Sequence, residues 1–432
     1  LPENVDFKAK ENPLLSNPEF VNVKCPRCGS PAKRETDTMG GFIDSSWYFL
    51  RFCSPHEKNR PFDKKAVEYW MPVDQYIGGA EHAVMHLIYA RFFTRVLRDL
   101  GYVNFSEPFK RLFNQGIVYK DGHKMSKSFG NVVFQTEISE RYGIDTARLF
   151  LMFVAAPDKQ MEWSDQGVEG SYRVIMRMFA LSEKIRQSAN ERDEHVINST
   201  IKEVTESIST FNYPKAIISI INAIDYYSAR GIPRAHYEDL LKLFSVFCPH
   251  SAEELWHRIG NKTFISIESW PQHSDSKIKP KFDELGERAE KVREDIRTVL
   301  KLLQEKGAGN VKGIKLLLAE SWKYDAAYQI YKEMQKSRNP GDIIKAVLHS
   351  KDCEGHSSEI PALVNRLLKS PNLLIRQQIS QNEEMNFFKE ELPLMESEFG
   401  LNFSIERAEE LPSEKKREQA LPGKPAIIAL TE

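Results

Sequence analysis

The chain has 432 residues, of which 41% are hydrophobic and 28% are charged, a balance typical of folded globular proteins. Its 60 lysines and arginines against 61 aspartates and glutamates exclude a polybasic nucleic-acid-binding protein, although a local basic surface stays open. No apolar run of about 18 residues occurs, which excludes a transmembrane helix and so a membrane partner. At about 150 residues per domain, the length predicts two to four domains.

Residues 1–40 are rich in proline, asparagine and lysine and predict irregular structure around a knuckle, Cys25–Cys28. The Cys-x-x-Cys spacing is half of a structural zinc site, which needs four ligands. Cys53 and His56 are the nearest further candidates, so a zinc site and a knuckle without metal both stay open, and we favour the second. Because the chain begins at Leu1 without a methionine or signal peptide, we expect part of a longer polypeptide.

The five cysteines are scattered and odd in number, which argues against a disulfide framework and favours a cytoplasmic protein.

Between residues 41 and 160, short apolar segments alternate with amphipathic ones. Tyr69–Val73 and Gly116–Tyr119 predict buried strands, and Leu87–Leu97 predicts a helix between them. This β-α-β order predicts a parallel sheet that is covered by helices.

From residue 161 to 275 the apolar residues recur with a helical period, which predicts a helical bundle. Its helices are expected around Val168–Phe179, Ile197–Phe211, Tyr237–Phe247 and Ala252–Ile259. Residues 271–280 read as a linker, and 276–432 predict a small α+β domain. Its expected elements are a charged helix at 284–306, a strand at Gly313–Leu318, a helix at Ala326–Gln335 and a strand at Pro425–Leu430.

The stretch Asp121–Asn131 (DGHKMSKSFGN) carries the strongest chemical signal. Lys124 and Lys127 stand three residues apart beside two serines, between glycines. Two ammonium groups and two hydroxyls on one compact loop suit a phosphate whose charge moves during displacement. A lysine pair alone is more often a solvated turn. The full string after an apolar strand favours the anion-binding interpretation.

The string Lys124–Ser128 (KMSKS) resembles the second signature of class I aminoacyl-tRNA synthetases. Other segments are similar to leucyl-tRNA synthetases, and they are Phe42–Tyr48, Pro72–His82, Gln115–Gly116 and Tyr142–Arg148. Cys248–Trp256 resembles a run in the family's anticodon-binding domain, and Ala420–Ile427 resembles its C-terminal extension more weakly. The resemblance spans nearly the whole chain and is most specific from residue 34 to 170.

The resemblance implies a multidomain chain, α/β and then mainly α. Residues 1–40 would follow the editing insertion, 41–160 would form the second half of a Rossmann-type catalytic domain with the KMSKS loop, 161–275 the anticodon-binding bundle, and 276–432 a tRNA-interacting domain. It also implies ligation of leucine to tRNA(Leu) through leucyl-adenylate, with ATP and Mg²⁺ as the substrate complex.

The resemblance further implies roles for individual residues. Lys124 and Lys127 would be catalytic. The implied ATP-binding residues are Gly78, Gly79, Glu81, His82, Gln115, Met125, Ser126, Lys127 and Ser128. The implied leucine-binding residues are Phe42, Ser45, Tyr48 and His82.

A histidine pair and a tryptophan could suggest binding sites, but we favour structural interpretations of both. His82 and His86 have the i,i+4 spacing of a helical metal pair, but Ala83 and Val84 lie where a zinc protease would carry its glutamate, which argues against a metal. We interpret Trp256 as a core residue.

The basic run Lys415–Arg417 is expected either in solvent or on tRNA.

The sequence departs from the family in what it lacks. No His-x-Gly-His (HIGH) signature and no editing insertion occur, and 1–7 resembles the end of that insertion. We therefore expect a C-terminal portion or a beta-type subunit of a divided enzyme, active only with a HIGH-containing N-terminal half as partner.

Gly40-Gly41, Phe129 and Phe134-Gln135 also depart from the family's pattern. The departures around Gly40 and Phe129 motivate an alternative, a non-catalytic tRNA-binding paralogue. A synthetase for isoleucine, valine or methionine is a third possibility. The sequences of Ser45–Tyr48 and Tyr76–Gly79 argue against it.

Overall fold

The computed structural model describes residues 2–5, 12–305, 310–349 and 355–431. Its helices are α1 (Pro18–Val21), α2 (Phe42–Ser45), α3 (Tyr48–Phe52), α4 (Lys64–Trp70), α5 (His86–Asp99), α6 (Gln135–Tyr142), α7 (Ile144–Phe153), α8 (Asp165–Leu181), α9 (Glu191–Ser209), α10 (Tyr213–Arg230), α11 (Arg234–Ser245), α12 (Pro249–Arg258), α13 (Lys281–Glu305), α14 (Trp322–Met334), α15 (Pro340–Leu348), α16 (Ile360–Lys369) and α17 (Gln381–Phe399). Its strands are β1 (Asn22–Lys24), β2 (Pro31–Lys33), β3 (Tyr76–Gly79), β4 (Leu112–Gln115), β5 (Val118–Lys120), β6 (His123–Lys124), β7 (Met161–Glu162), β8 (Ile185–Arg186), β9 (Ile232–Pro233), β10 (Val311–Leu318), β11 (Asn402–Arg407) and β12 (Ala426–Thr431). In the described parts of the chain, no helix is long and apolar enough to cross a membrane.

The chain divides into two compact units, of which the first comprises Leu1–Phe134 and Val154–Gly167. In this unit β3 and β4 pair in parallel and α5 connects them. The predicted helix and the β-α-β order are confirmed, but the two paired strands are not the segments that were predicted. The inner side of α5 contributes Leu87 and Ala90 to the buried residues of the unit. Strand β5, which overlaps the predicted strand Gly116–Tyr119, pairs in parallel with β7 and antiparallel with β6.

The predicted buried strand at Tyr69–Val73 is wrong. Asp63 caps the N-terminus of α4 by accepting a hydrogen bond from the backbone N–H of Ala66, and the helix continues through Trp70. Pro72 follows directly and cannot continue a helix. The side chains of Tyr69 and Trp70 are 79% and 64% exposed, so their aromatic character is not a sign of burial.

The segment Phe42–Tyr48, which carries three of the implied leucine-binding residues, is helical. It forms α2 and the start of α3. The hydroxyls of Ser45 and Ser46 both donate to the carbonyl oxygen of Phe42, and the first of these bonds measures 3.1 Å. Such bonds to a carbonyl three or four residues back are typical of serines in helical turns.

The second unit, Gln135–Phe153 with Val168–Glu432, contains the helical bundle. The four predicted helices are confirmed as α8, α9, α11 and α12, with α10 in addition. Their apolar faces share one core, in which Ile197, Ile220 and Leu240 are at most 2% exposed. Trp256 is 4% exposed in the same core, so its interpretation as a core residue is confirmed.

Two segments that are far apart in the sequence interlock beside this core. Asp145 at the start of α7 accepts hydrogen bonds from the backbone N–H of Ser251 (2.6 Å) and faces Nδ1 of His250 (3.0 Å) at the start of α12. The Arg148 guanidinium donates to the carbonyl oxygen of Phe247 at 3.2 Å, just past the end of α11. A carboxylate therefore caps one helix and a guanidinium caps the other.

The last third of the chain forms a three-stranded sheet in the order β11–β10–β12, with β10 parallel to β11 and antiparallel to β12. Four predicted elements are confirmed here as α13, β10, α14 and β12. The expected linker before α13 is anchored on α9, because the backbone N–H of Ser274 donates to Asn198 (2.7 Å) and that of Lys279 to His195 Nδ1 (3.0 Å).

A buried carboxylate, Glu391 of α17, joins this sheet module to the bundle. Arg192 of α9 and Arg293 of α13 each donate to it at 2.6 Å, and Arg230 of α10 is a third partner. Burial alone would raise the pKa of Glu391, but the charges of Arg192 and Arg230 outweigh it and the pKa is lowered. One anion thus compensates guanidinium groups from three helices.

Replacement of Glu391 by glutamine should therefore destabilise the second unit by about 3–5 kcal/mol, because it removes the buried negative charge that three guanidinium groups share. Urea unfolding of the full chain measures this change. The control is Glu390→Gln, since the Glu390 side chain is 42% exposed and should cost less than about 1 kcal/mol. Equal losses in the two variants would contradict the assignment.

A second buried carboxylate predicts a pH dependence of stability. Glu384 is fully buried, and this burial raises its pKa to about 7, although the backbone N–H of Gly423 donates to it at 3.0 Å. Because the folded pKa lies above the unfolded one, the folded state binds more protons between pH 4.5 and 7. As the pH rises through this window, the free energy of unfolding should fall, by at most about 1.4 kcal/mol per pH unit.

Glu384→Gln removes the titrating group and should flatten that fall, as urea unfolding at pH 5 and pH 7.5 would measure. An unchanged slope in this variant would assign the pH dependence to another group.

Candidate functional site

The carboxyl ends of β3 and β4 bring the expected nucleotide-binding residues together. Gly78 and Gly79 end β3, and Gly79 stands beside Gln115 in the parallel register. Glu81 and His82 follow at once in a 3-10 turn, Ala80–Val84. In open α/β sheets ligands bind at this end of the strands, because the loops there diverge around a crevice.

Two glycines at this edge lie close to neighbouring groups, and at Gly116 the neighbour is backbone. A Cβ on Gly79 would lie 2.3 Å from a carboxylate oxygen of Glu81, so a larger residue would displace that side chain. A Cβ on Gly116 would lie 1.7 Å from the backbone oxygen of Lys159, which no side chain movement can relieve. The backbone N–H of Gly116 also donates to Pro157 at 2.7 Å.

The lysine loop begins at a tight hairpin between β5 and β6. Asp121 and Gly122 occupy the turn with φ values of +54° and +73°, and Lys120 pairs with His123 across it. An Asp-Gly pair is suited to a two-residue hairpin because both positions need positive φ.

Asn131 holds the loop that follows. Its Oδ1 accepts a hydrogen bond from the backbone N–H of Ser126 at 3.0 Å. Its Nδ2 faces three carbonyl oxygens at 3.3 to 3.4 Å, those of Lys120, His123 and Lys124. Sequence reasoning missed this residue, although asparagine is a common loop residue because its amide bonds to nearby backbone groups.

The expected phosphate-binding side chains lie on the surface of this loop. Lys124, Lys127 and Ser128 are exposed, whereas Met125 and Ser126 are half-buried. The hydroxyls of Ser126 and Ser128 are 3.1 Å apart. Within the described residues neither lysine makes an ion pair, so both ammonium groups are open to an external anion.

Phe129, one of the departures from the family, stacks on His123 with ring centroids 5.3 Å apart. It is 68% exposed, so it covers one side of the loop without entering a core.

Two of the expected leucine-binding residues, Tyr48 and His82, belong to an aromatic cluster. The Tyr48 ring lies 6.2 Å from the ring of buried His86, which in turn lies 5.9 Å from Tyr76 and 6.0 Å from His82. Burial, and then the neighbouring His82, lowers the pKa of His86 and so favours its neutral form. Sequence reasoning missed Tyr76 and His86 as members of this cluster.

The remaining expected residues, Phe42 and Ser45, make other contacts. Phe42 stacks on Tyr89 with centroids 5.5 Å apart, and the Ser45 hydroxyl is directed to its own helix backbone. A groove of about 520 Å³ borders the cluster, with Tyr48, Phe52, Trp70 and Tyr76 among its lining residues. Apolar walls with few polar groups suit a branched aliphatic side chain.

The cysteine knuckle forms the turn between antiparallel β1 and β2. The backbone N–H of Gly29 donates to Cys25 at 2.9 Å, and hydrogen bonds from Ser30 lower the pKa of the exposed Cys28 thiol. Among the described residues no group of three His, Cys, Asp or Glu side chains could hold a metal ion. The Cys53 thiol donates to the Phe49 carbonyl oxygen at 3.3 Å instead. Two thiols do not fit a four-ligand zinc site.

Asn131→Ala should loosen the lysine loop, because several backbone groups lose their shared partner. Amide hydrogen exchange over residues 120–131 should rise by on the order of tenfold or more, since one lost hydrogen bond contributes about 1 kcal/mol and this side chain makes several. Asn114→Ala, on β4, serves as the control. Unchanged exchange in the loop would contradict the role of Asn131.

Comparison with known proteins connects this geometry to a family. Residues 30–164 match the family described as tRNA synthetases class I (I, L, M and V), and residues 194–312 match the anticodon-binding domain of tRNA ligase. A leucine–tRNA ligase of Thermosipho melanesiensis is 44% identical over 304 residues, which cover 65% of this chain and 37% of that protein. One of Geobacter sp. (strain M21) is 45% identical over 303 residues, with 64% and 37% covered.

Among solved structures, the chain is similar to LeuRS of Agrobacterium radiobacter K84, determined in a ternary complex with tRNA and LeuAMS. The TM-score is 0.60 at 33% identity, over 65% of this chain and 39% of that one. The chain therefore spans less than half the length of the relatives that it matches.

Proposed function

We propose that this chain, which is homologous to leucine–tRNA ligases over about two thirds of its length, supplies the C-terminal part of such an enzyme. In the proposed reaction a carboxylate oxygen of leucine attacks the α-phosphorus of ATP, which is bound as its Mg²⁺ complex. The new oxygen–phosphorus bond gives leucyl-adenylate, and the bond to the β-phosphate breaks to release pyrophosphate. The leucyl group then passes to the terminal ribose of tRNA(Leu).

The observation that carries this proposal is the parallel register at the edge of β3 and β4. It sets Gly79 beside Gln115, with Glu81 and His82 in the next turn. In the proposal the two glycines, Gly78 and Gly79, admit the adenosine against the backbone, and Glu81 accepts a hydrogen bond from a ribose hydroxyl.

Lys124 and Lys127 act on the other end of ATP. The departing pyrophosphate gains negative charge in the transition state, so ammonium groups that follow it lower the barrier. Their exposure and their freedom from ion pairs in the described chain support this role. The reaction needs no covalent intermediate and no general base, since the leucine carboxylate is already a nucleophile.

The leucine site is proposed at the aromatic cluster. Phe42 and Tyr48 would contact the isobutyl side chain, with Ser45 and His82 as polar anchors. Tyr76 and His86 extend this surface. The His86 ring contacts the rings of both Tyr48 and Tyr76 and so connects them.

The proposed domain limits remain residues 1–40, 41–160, 161–275 and 276–432. The bundle would contact tRNA, as the family match of residues 194–312 supports. Because the chain covers 37% of the Thermosipho relative, activity is proposed only together with a HIGH-containing polypeptide. As such a partner we take the rest of the Thermotoga maritima leucine–tRNA ligase, expressed without the segment that this chain matches, and call it the complementing polypeptide.

Lys127→Ala should lower kcat for leucine-dependent ATP–pyrophosphate exchange by on the order of 10²-fold or more, with little change in the KM for leucine. The exchange is measured in a mixture of the chain with the complementing polypeptide. Lys65→Ala is the matched control, since Lys65 is also an exposed lysine of the first unit and should leave the rate unchanged.

An exchange rate of the Lys127 variant close to wild type would refute the proposed role of this lysine. Absence of exchange in every mixture, together with measurable tRNA binding, would favour a non-catalytic tRNA-binding paralogue instead.

A further inference from the structure

A pocket of about 360 Å³ lies in the sheet module, among three segments that are distant in the sequence. One wall is the face of α16 that carries Ala362, Leu363 and Arg366. The start of α14 and the 3-10 turn Lys415–Gln419 contribute most of the remaining lining. We call this cavity the module pocket. It lies beyond residue 312, the last residue that either family match includes, and its volume suits a small molecule.

One buried carboxylate in the module pocket is shared by two cations. Glu320 is 9% exposed, and its carboxylate accepts a hydrogen bond from Nε1 of Trp322 at 3.2 Å. Nζ of Lys323 lies 3.3 Å from this carboxylate, and a guanidinium nitrogen of Arg417 lies 3.0 Å from it. This group of charges therefore carries one positive charge in excess. Arg417, which belongs to the basic run of the sequence, is bound within the chain here.

A third cation of the pocket, Arg366, has no carboxylate partner within the described residues. Its guanidinium donates to the backbone carbonyl oxygens of Glu418 at 3.1 Å and Gln419 at 2.9 Å, which are neutral acceptors. Burial lowers the pKa of Arg366, as expected of a cation that loses water without gaining an anion. A guanidinium has five N–H groups, of which two are used here, so three remain for a ligand.

The other two acidic residues of the pocket are directed elsewhere or exposed. The Glu359 carboxylate lies 3.1 Å from Nδ1 of His356, and its side chain is 51% exposed. Glu418 is also exposed. Exposed charges are screened by water and salt, so these two acids compensate the partly buried Arg366 poorly.

Apolar side chains complete the lining of the module pocket. Trp322, Leu363 and Leu421 are at most 7% exposed, and all three border the cavity. The pocket thus combines uncompensated positive charge with apolar surface. A ligand that has both an anionic and an apolar part would contact both.

We propose that the module pocket binds a small organic anion, a carboxylate or phosphate ester that carries a compact apolar group. The anionic group pairs with Arg366, because a planar guanidinium matches both carboxylate and phosphate oxygens. The apolar group displaces water from Trp322, Leu363 and Leu421. None of these residues takes part in the proposed reaction, so the site is independent of the proposed function.

The test is isothermal titration calorimetry of the full chain with phenyl phosphate. Inorganic phosphate and phenol serve as the comparison ligands, since each carries only one of the two parts. Phenyl phosphate should bind one-to-one and on the order of tenfold or more tighter than either, because it contacts both kinds of surface. Phenylacetate is the carboxylate counterpart, and the tighter of the two ligands identifies the preferred anionic group.

Two variants locate the binding. Arg366→Gln removes the charge and should weaken binding of phenyl phosphate on the order of tenfold or more. Ala362→Phe should weaken it similarly by filling the pocket, and this exposed alanine can be enlarged without loss of a side-chain hydrogen bond. Arg338→Gln is the matched control, since Arg338 is an exposed arginine of the same module outside the pocket lining. Circular dichroism checks that the variants stay folded.

Equal affinity of wild type and both pocket variants for phenyl phosphate would overturn the proposal. Affinity no greater than that of phenol or inorganic phosphate would overturn it as well. Displacement of phenyl phosphate by tRNA, together with loss of tRNA binding in both pocket variants, would also contradict it, since the occupant would then be an RNA phosphate.

Discussion

Parallel pairing of two short strands brings together the expected nucleotide-binding residues around Gly79 and Gln115. Because β3 and β4 run in the same direction, both strands end at the same edge of the sheet, and Gly79 and Gln115 lie side by side. The 3-10 turn with Glu81 and His82 leaves from the first strand, and the hairpin that leads to the lysine loop leaves from the second. An antiparallel pair would send these two segments to opposite ends.

The same pairing leaves the sheet with exposed edges. Among the described residues β3 and β4 pair only with each other, apart from one isolated bridge, and Ile88 and Phe92 of α5 are exposed. In the second unit, buried charged groups are paired internally. Asp145 and Arg148 cap neighbouring helices, and Glu391 compensates arginines from three others.

Much of the fold could be predicted because amphipathic periodicity is a local property. Helices α8, α9, α11 and α13 follow from the spacing of their apolar residues, and β10 and β12 from short apolar runs. The prediction of a strand at Tyr69–Val73 was wrong because aromatic residues favour a strand only where neighbouring strands are available to pair with it. Here the cap at Asp63 and the proline at position 72 decided the conformation.

The candidate site was predicted less completely, for a related reason. Its lysines and glycines lie within short strings, whereas Tyr76 and His86 join Tyr48 only through tertiary contact. The role of Asn131 depends on a loop that folds back on its own hairpin. Glu391 is one acid among several in a charged helix, so its burial at 2% exposure has no signal in the sequence.

The most direct measurement is leucine-dependent ATP–pyrophosphate exchange by the wild-type chain, alone and then with the complementing polypeptide. The account predicts no exchange with either polypeptide alone and clear exchange when both are mixed. Exchange by the chain alone would contradict the claim that its site is incomplete, and none in the mixture despite complex formation would contradict the proposed activity.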